Sequence, residues 1–271
     1  MTKVKKFAFC YDFDGTLCPE YMMNHHLLPD CKVNPKIFWQ KVVDYSNQKK
    51  CDPTLAYLKL LMTEMKESNI DFSSSMFKKY GRKIILFKGV ESWFQSIEKK
   101  IKKKFNVNIE HYIISSGLEE MIKGCKISKN IKKIFASSYM FNRDFIWPRL
   151  SVNYSNKVQF LYRIHKGKFD VFDNVGVNNK IEDKKVYIPF ENIFFFGDGE
   201  TDIPTFVVNK KNGGTSICVY ENDETSEKNA KKILREKRVN FIVENDYSEN
   251  GPIEKLINTI MELNINFSVS S

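Results

Sequence analysis

Two apolar patterns alternate along this chain. Short, nearly unbroken apolar runs stop abruptly at acids, hydroxyls or glycine, and longer stretches between them carry apolar residues every three or four positions. The first pattern is that of a buried strand and the second that of an amphipathic helix. Phe7 to Tyr11 is the first run, and His111 to Ile114 leads into Ser115-Ser116-Gly117 as the second. Phe135 to Phe141 and Ile193 to Phe196 read as further strands, with Thr215 to Tyr220 and Val239 to Val243 after them. Among the helices, Asp52-Pro53 is a start signal, with Asp as cap and Pro at the first helical position, ahead of Leu55, Leu58, Leu61, Met62 and Met65. Another helix is predicted around Ile37 to Tyr45, and one begins after Ser73-Ser74-Ser75 and closes at Gly81. Gly89 opens a segment with Val90, Trp93, Phe94, Ile97, Ile101 and Phe105 on one face. Leu118 to Ile122, Ser226 to Lys237 and Pro252 to Leu263 follow, and Ser155 is the expected cap of a helix holding Lys157, Phe160, Leu161 and Ile164.

Strands that alternate with helices predict an α/β fold: a doubly wound, mainly parallel sheet covered on both faces. The stretch between Cys18 and Phe87 has helix signals and little strand signal, so it reads as a small helical insertion after the first strand. Residues Lys168 to Pro189, rich in turn signals, are expected to be an irregular or hairpin excursion.

In such a sheet, ligands gather at the carboxyl ends of the strands. Asp12 and Asp14 emerge there after the first run, Ser115 to Gly117 after the second, and Asp198 and Asp202 after Phe196. Right-handed crossovers would carry all of these to one edge. Two acids two residues apart at a strand end suggest a cation site. An EF-hand loop beginning at Asp12 is excluded, because its sixth and twelfth positions hold Leu17 and Met23 rather than Gly and Glu.

Composition narrows the reading further. With 271 residues, 42% of them hydrophobic, the chain can bury a substantial core, and 22 Phe with 12 Tyr argue against disorder. No apolar run approaches the length of a membrane span, and the opening MTKVKKFAFCYDFDG is too short in apolar residues for a signal peptide. A cytoplasmic protein with free thiols is expected, since the six cysteines include no C-x-x-C pair. The formal charge of +10 comes mostly from lysine runs such as Lys99 to Lys104 and Lys228 to Arg238. These lie near helix ends, where cations suit the helix dipole, so a solvated surface is favoured over a nucleic-acid patch.

Together, DFDGT at Asp12 to Thr16, IISSG at Ile113 to Gly117, Lys157 and GDGETD at Gly197 to Asp202 resemble the four motifs of the haloacid dehalogenase-like (HAD) hydrolase superfamily. Their order fits, and the resemblance covers nearly the whole chain. It is closest to the phosphoserine-phosphatase-like branch, whose small helical cap follows the first strand. The implied division is a Rossmannoid core of residues 1–18 and 88–271 with a cap of residues 19–87.

The resemblance further implies a phosphatase acting on a small phosphorylated metabolite. Asp12 would be the nucleophile that forms an aspartyl-phosphate, and Asp14 the general acid and base. Magnesium would be held by Asp12, the Asp14 carbonyl and Asp198. Phosphate would be cradled by Ser115, Gly117 and Lys157, with Ser116 replacing Ser115 if the strand ends one residue later and Lys166 or Lys168 as alternatives to Lys157. Asp202 would orient Lys157 or simply cap the next helix.

One position departs from the branch. The cap glutamate that grips a substrate amine is Tyr21 here, with Glu20 one residue earlier. Glu20, Tyr21, His25 and His26 are therefore the candidates for cap specificity, and the tryptophans Trp39, Trp93 and Trp147 read as packing residues. Two other classes stand beside the phosphatase. One is a nucleic-acid-associated or end-processing protein suggested by the charge, and the other is a catalytically silent phosphate-binding protein.

Overall fold

Every residue of β1 (Lys6–Tyr11) beyond the first is buried, as a strand covered on both faces requires. In the computed structural model, which describes residues 4–142 and 146–269, β1 pairs in parallel with β2 (Asn108–Leu118) on one side and β5 (Ile193–Gly197) on the other. With β3 (Lys133–Phe141), β4 (Ile146–Leu150), β6 (Thr215–Tyr220) and β7 (Phe241–Glu244), they form a seven-stranded sheet in the order β4-β3-β2-β1-β5-β6-β7. All pairings are parallel except β3 with β4.

Alternation along the strands builds two apolar layers. Phe7, Phe9 and Tyr11 of β1 join Phe194 and Phe196 of β5 on one face, against α5 (Val90–Phe105) and α11 (Pro252–Val269). Ala8, Cys10, Ile193 and Phe195 face the other way, against α7 (Val158–Lys166), α9 (Ile203–Lys211) and α10 (Glu224–Arg235). The doubly wound, mainly parallel α/β architecture expected from the sequence is present.

Between Cys18 and Phe87 lie α1 (Leu27–Asp30), α2 (Pro35–Lys49), α3 (Pro53–Glu67) and α4 (Ser74–Gly81). Asn34, Asp52 and Ser73 cap the last three through their side chains, the first two ahead of a proline at the first helical position. The Phe87 amide donates to the Leu17 carbonyl at 3.0 Å, so the two ends of the segment leave the core side by side. Its apolar residues, among them Met22, Phe38, Leu58 and Phe77, belong to the same buried cluster as β1 and α5. Helix α4 packs closely on α6 (Glu119–Gly124): a side chain at Gly81 would run into the Met121 carbonyl oxygen.

Several details differ from expectation. β4 carries no strong strand signal because its residues alternate between half-buried and exposed and include Pro148, which an edge strand tolerates. Trp147 on that edge is 63% exposed, so it is not a packing residue. Ser155 does not cap α7; Asn153 organises the turn instead, its Oδ1 accepting from the amides of Ser155 and Asn156 and from the Ser155 hydroxyl. Residues 168–189 form no hairpin but an irregular path with α8 (Asn174–Asn178). The buried Arg163 guanidinium fastens it, donating to the carbonyls of Asp170, Val171 and Asp173. Among the described residues no helix is long and apolar enough to cross a membrane, and all six cysteines are free.

Candidate active site

β1, β2 and β5 end side by side, and their last residues open into one cleft of about 460 Å³. Asp12, Asp14, Ser115, Ser116 and Asp198 line it, together with Glu20 and Tyr21 from the start of the insertion. The segments predicted to converge therefore do so.

Behind the cleft, Lys157 is completely buried, and its Nζ lies 2.8 Å from Asp12 Oδ2 and 2.8 Å from Asp202 Oδ1. Burial alone would lower the pKa of this ammonium. The Asp12 and Asp202 carboxylates outweigh that effect and hold the group above the ordinary lysine range. Of the two alternatives, Lys166 is engaged elsewhere, donating to the carbonyls of Val177 and Asn179 in the irregular segment, and Lys168 is not among the residues lining the cleft.

Asp12 Oδ1 accepts the Phe13 amide at 2.7 Å, which fixes the carboxylate at the strand end. Beside it, Asp14 Oδ1 accepts the Met22 amide at 2.9 Å. Loss of solvation, followed by the negative charge of Asp12, pushes the Asp14 carboxyl up to about 7. Such a group can give and take a proton near neutrality.

The turn between these acids and the insertion depends on Gly15. Its φ is +73°, and a Cβ there would lie 2.3 Å from Asp198 Oδ2. Asp12, Asp198 and Asp202 each offer a carboxylate oxygen within 4.8 Å of the others. The roles within this group differ. Both Asp202 oxygens are committed, one to Lys157 and the other to the Asp198 amide at 3.2 Å, so Asp202 is placed to orient rather than to ligate. The Asp198 carboxylate stands at the exposed side of the group.

In the second segment, Ser115 Oγ accepts the Gly117 amide at 3.0 Å. Gly117 is not among the residues lining the cleft; a Cβ there would clash with Met22 Cε and lie 3.2 Å from Asp14 Oδ2. Its N–H is thus already used, and Ser115 and Ser116 are what this segment presents to the cleft. The Ser116 carbonyl accepts the Tyr57 hydroxyl at 2.7 Å, a tie from α3 to the cleft floor.

His25 and His26 do not line the cleft. The His25 ring spans the base of the insertion, with Nε2 at 2.8 Å from the Pro19 carbonyl and Nδ1 accepting the Ile85 amide. Sequence reasoning did not single out Glu200, Thr201 and Glu221, which also line the cleft. Glu221 directly follows β6, so the rule that located the other acids at strand ends also reaches it.

With this geometry in view, the comparisons with known proteins are informative about the fold. No protein-family model matches the chain. An uncharacterised protein of Borreliella burgdorferi is 27% identical over 287 aligned positions, covering 94% of this chain and 95% of that protein. The phospho-aspartyl intermediate analogue of phosphoserine phosphatase superposes with a TM-score of 0.55 at 19% identity, over 89% of this chain and 94% of that one. Phosphoserine phosphatase in its apo form gives 0.56 at 18%, over 89% and 96%. A HAD family hydrolase from Salmonella enterica serovar Typhi gives 0.57 at 18%, over 90% and 69%. The chain therefore has the HAD-like Rossmannoid fold, in the form seen in phosphoserine phosphatase.

Proposed function

We propose that this protein is a HAD-like phosphatase that hydrolyses a small phosphomonoester through an aspartyl-phosphate on Asp12. The observation that carries the reading is the Lys157 ammonium held between Asp12 and Asp202 at the back of a cleft that also presents Asp14, Ser115 and Asp198. An Asp12 oxygen attacks phosphorus, the bond to the leaving oxygen breaks, and Asp14 delivers its proton to that oxygen. Water then attacks the phosphoryl group while Asp14 takes its proton, which frees Asp12 and releases phosphate. Lys157 and the hydroxyls of Ser115 and Ser116 neutralise and hold the phosphoryl oxygens throughout.

The donor set fits a magnesium ion. Hard carboxylate oxygens are clustered, they outnumber the single ammonium beside them, and Asp198 stands on the exposed side of the cluster. Asp12, Asp198 and the Asp14 carbonyl would hold the ion, which when bound relieves repulsion between the anionic nucleophile and the phosphate. In this reading residues 1–18 and 88–271 are the catalytic core and 19–87 a cap that shields the reaction from water. Six free thiols, five of them buried, suit a reducing cytoplasm. Nucleic acid is disfavoured as a substrate because no Lys or Arg is among the residues lining the cleft.

Hydrolysis of an aryl phosphate with magnesium tests the proposal. Turnover should vanish with chelator and in Asp12→Asn; a variant that retained wild-type turnover would remove Asp12 as nucleophile.

A further inference from the structure

Helix α3 belongs to the insertion, yet one side of its first two turns is fastened to the core. The Tyr57 hydroxyl donates to the Ser116 carbonyl at 2.7 Å, and Asn153 Nδ2–H donates to Asp52 Oδ2 at 2.7 Å. The Tyr139 hydroxyl donates to the Leu58 carbonyl at 2.6 Å. Ser116 needs such a tie. The pairing of β2 with β3 shifts register between Ser115 and Leu118, so the strand ladder does not fix the backbone where Ser116 meets the cleft. The buried Tyr57 supplies the fixed point instead.

The second tie leads to Lys157. Asp52 Oδ1 caps α3 by accepting the amides of Thr54 and Leu55, which leaves Oδ2 for Asn153. Asn153 Oδ1 in turn accepts the amides of Ser155 and Asn156, and its carbonyl accepts the Lys157 amide at 3.1 Å. One helix therefore joins the end of β2 to the turn that delivers the buried ammonium. A helix is stiff where two separate loops would each drift, so α3 fixes the distance between groups that hold the phosphoryl oxygens in the proposed mechanism.

We infer that α3 is a brace for the phosphate-holding half of the site, with Tyr57, Asp52 and Asn153 as positioning residues that set Ser116 against Lys157. This inference rests on the phosphatase reading and goes beyond it, because none of the three residues lines the cleft. The two ties end at Ser116 and at the turn before Lys157, not at Asp12, Asp14 or Asp198. Their loss is therefore read in phosphate affinity and not in magnesium affinity.

The test measures the affinity for inorganic phosphate by calorimetry with magnesium present, the affinity for magnesium without phosphate, and kcat and KM for p-nitrophenyl phosphate. Tyr57→Phe deletes only the hydroxyl. Asp52→Asn keeps an oxygen for the cap but sets one amide N–H against another, and Asn153→Asp sets carboxylate against carboxylate. The double variant Asp52→Asn/Asn153→Asp restores the hydrogen bond with donor and acceptor exchanged, at unchanged total charge. Each single variant should bind phosphate about fivefold or more weakly and lose about tenfold or more in kcat/KM, with magnesium affinity within about twofold of wild type. The double variant should recover to within about threefold. Tyr139→Phe removes a tie of the same helix that ends at neither group, and its phosphate affinity should stay within about twofold. Unchanged phosphate affinity in Tyr57→Phe or in both single variants of the Asp52–Asn153 pair, no recovery in the double variant, an equal loss in Tyr139→Phe, or a parallel loss of magnesium affinity would each overturn the brace. A wild type without p-nitrophenyl phosphate turnover would overturn the phosphatase reading instead, and phosphate binding would still decide the brace.

Discussion

Two buried polar networks meet at the end of β1; burial disfavours a cation in both, and only one has carboxylates that outweigh it. On the cleft side, Lys157 sits 2.8 Å from each of two carboxylates, Asp12 and Asp202, which hold its ammonium charged against the effect of burial. One residue back, the buried Trp93 Nε1–H donates to the Tyr11 hydroxyl at 2.9 Å, and that hydroxyl stands 3.1 Å from His111 Nδ1. This second network carries no charge of its own: burial pushes the His111 imidazole down to about 3, so it stays neutral although Glu98 lies 3.4 Å from Nε2. Adjacent residues of one strand point to opposite faces, and this places the two networks back to back. The ionic set stands at the back of the cleft, and the neutral set lies within the apolar layer that β1 shares with α5.

The largest effect is expected on breaking the ionic set. Lys157→Met leaves Asp12 and Asp202 buried without their counter-ion, a change that costs about 3–5 kcal/mol when a buried pair is broken. Turnover should fall on the order of 10³-fold with it. Urea unfolding in chelator measures the first and aryl-phosphate kinetics the second. The stability deficit should grow as pH rises through about 6, the value to which burial already lifts the Asp202 carboxyl with the ammonium in place. A variant as stable as the wild type would show that the carboxylates do not need the ammonium.

Acid also breaks the neutral set. His111 has a folded pKa of about 3, well below the ordinary value of 6.5, because it is buried. Below pH 6.5 the unfolded chain takes up a proton that the folded chain refuses. Its contribution is therefore fully present above pH 6.5 and is lost as pH falls toward 3, at roughly 1 kcal/mol per pH unit. Denaturant unfolding from pH 7 to 5 should show a steeper loss in the wild type than in His111→Phe, and parallel curves would mean that the imidazole is not held neutral.

These two networks were not equally legible in the sequence. Asp12, Asp14, Ser115 and Asp198 could be located because each follows or closes a strand, and parallel topology brings strand ends together, whereas Lys157 came only from the family resemblance. Lys157 could not be separated from Lys166 by sequence, since only packing shows that Lys166 is spent on the carbonyls of Val177 and Asn179. The Trp93–Tyr11–His111 chain gave no signal at all. Trp93 and Tyr11 read as apolar periodicity, and a hydrogen bond between residues 82 apart depends on how α5 settles on the sheet. β4 was illegible for a related reason: a short edge strand with a proline has its pairing decided by its neighbour β3. His25 and His26 looked like substrate contacts because they follow the motif closely, but the first turn of the insertion sends His25 to its base, where it bonds to Pro19 and Ile85.

The smallest predicted effect is the one that asks whether the two networks are independent. Tyr11→Phe keeps the ring stacked on Phe196, with centroids 4.8 Å apart, and removes only the hydroxyl that Trp93 and His111 share. A buried indole N–H without a partner costs about 1–3 kcal/mol, so unfolding should shift by that much and no more. Because the Tyr11 ring lies on the opposite face of the strand from the cleft, kcat should stay within about twofold. A loss of about tenfold or more at unchanged magnesium affinity would instead mean that the neutral network sets the position of Asp12 through the β1 backbone, and the two sets would then have to be treated as one.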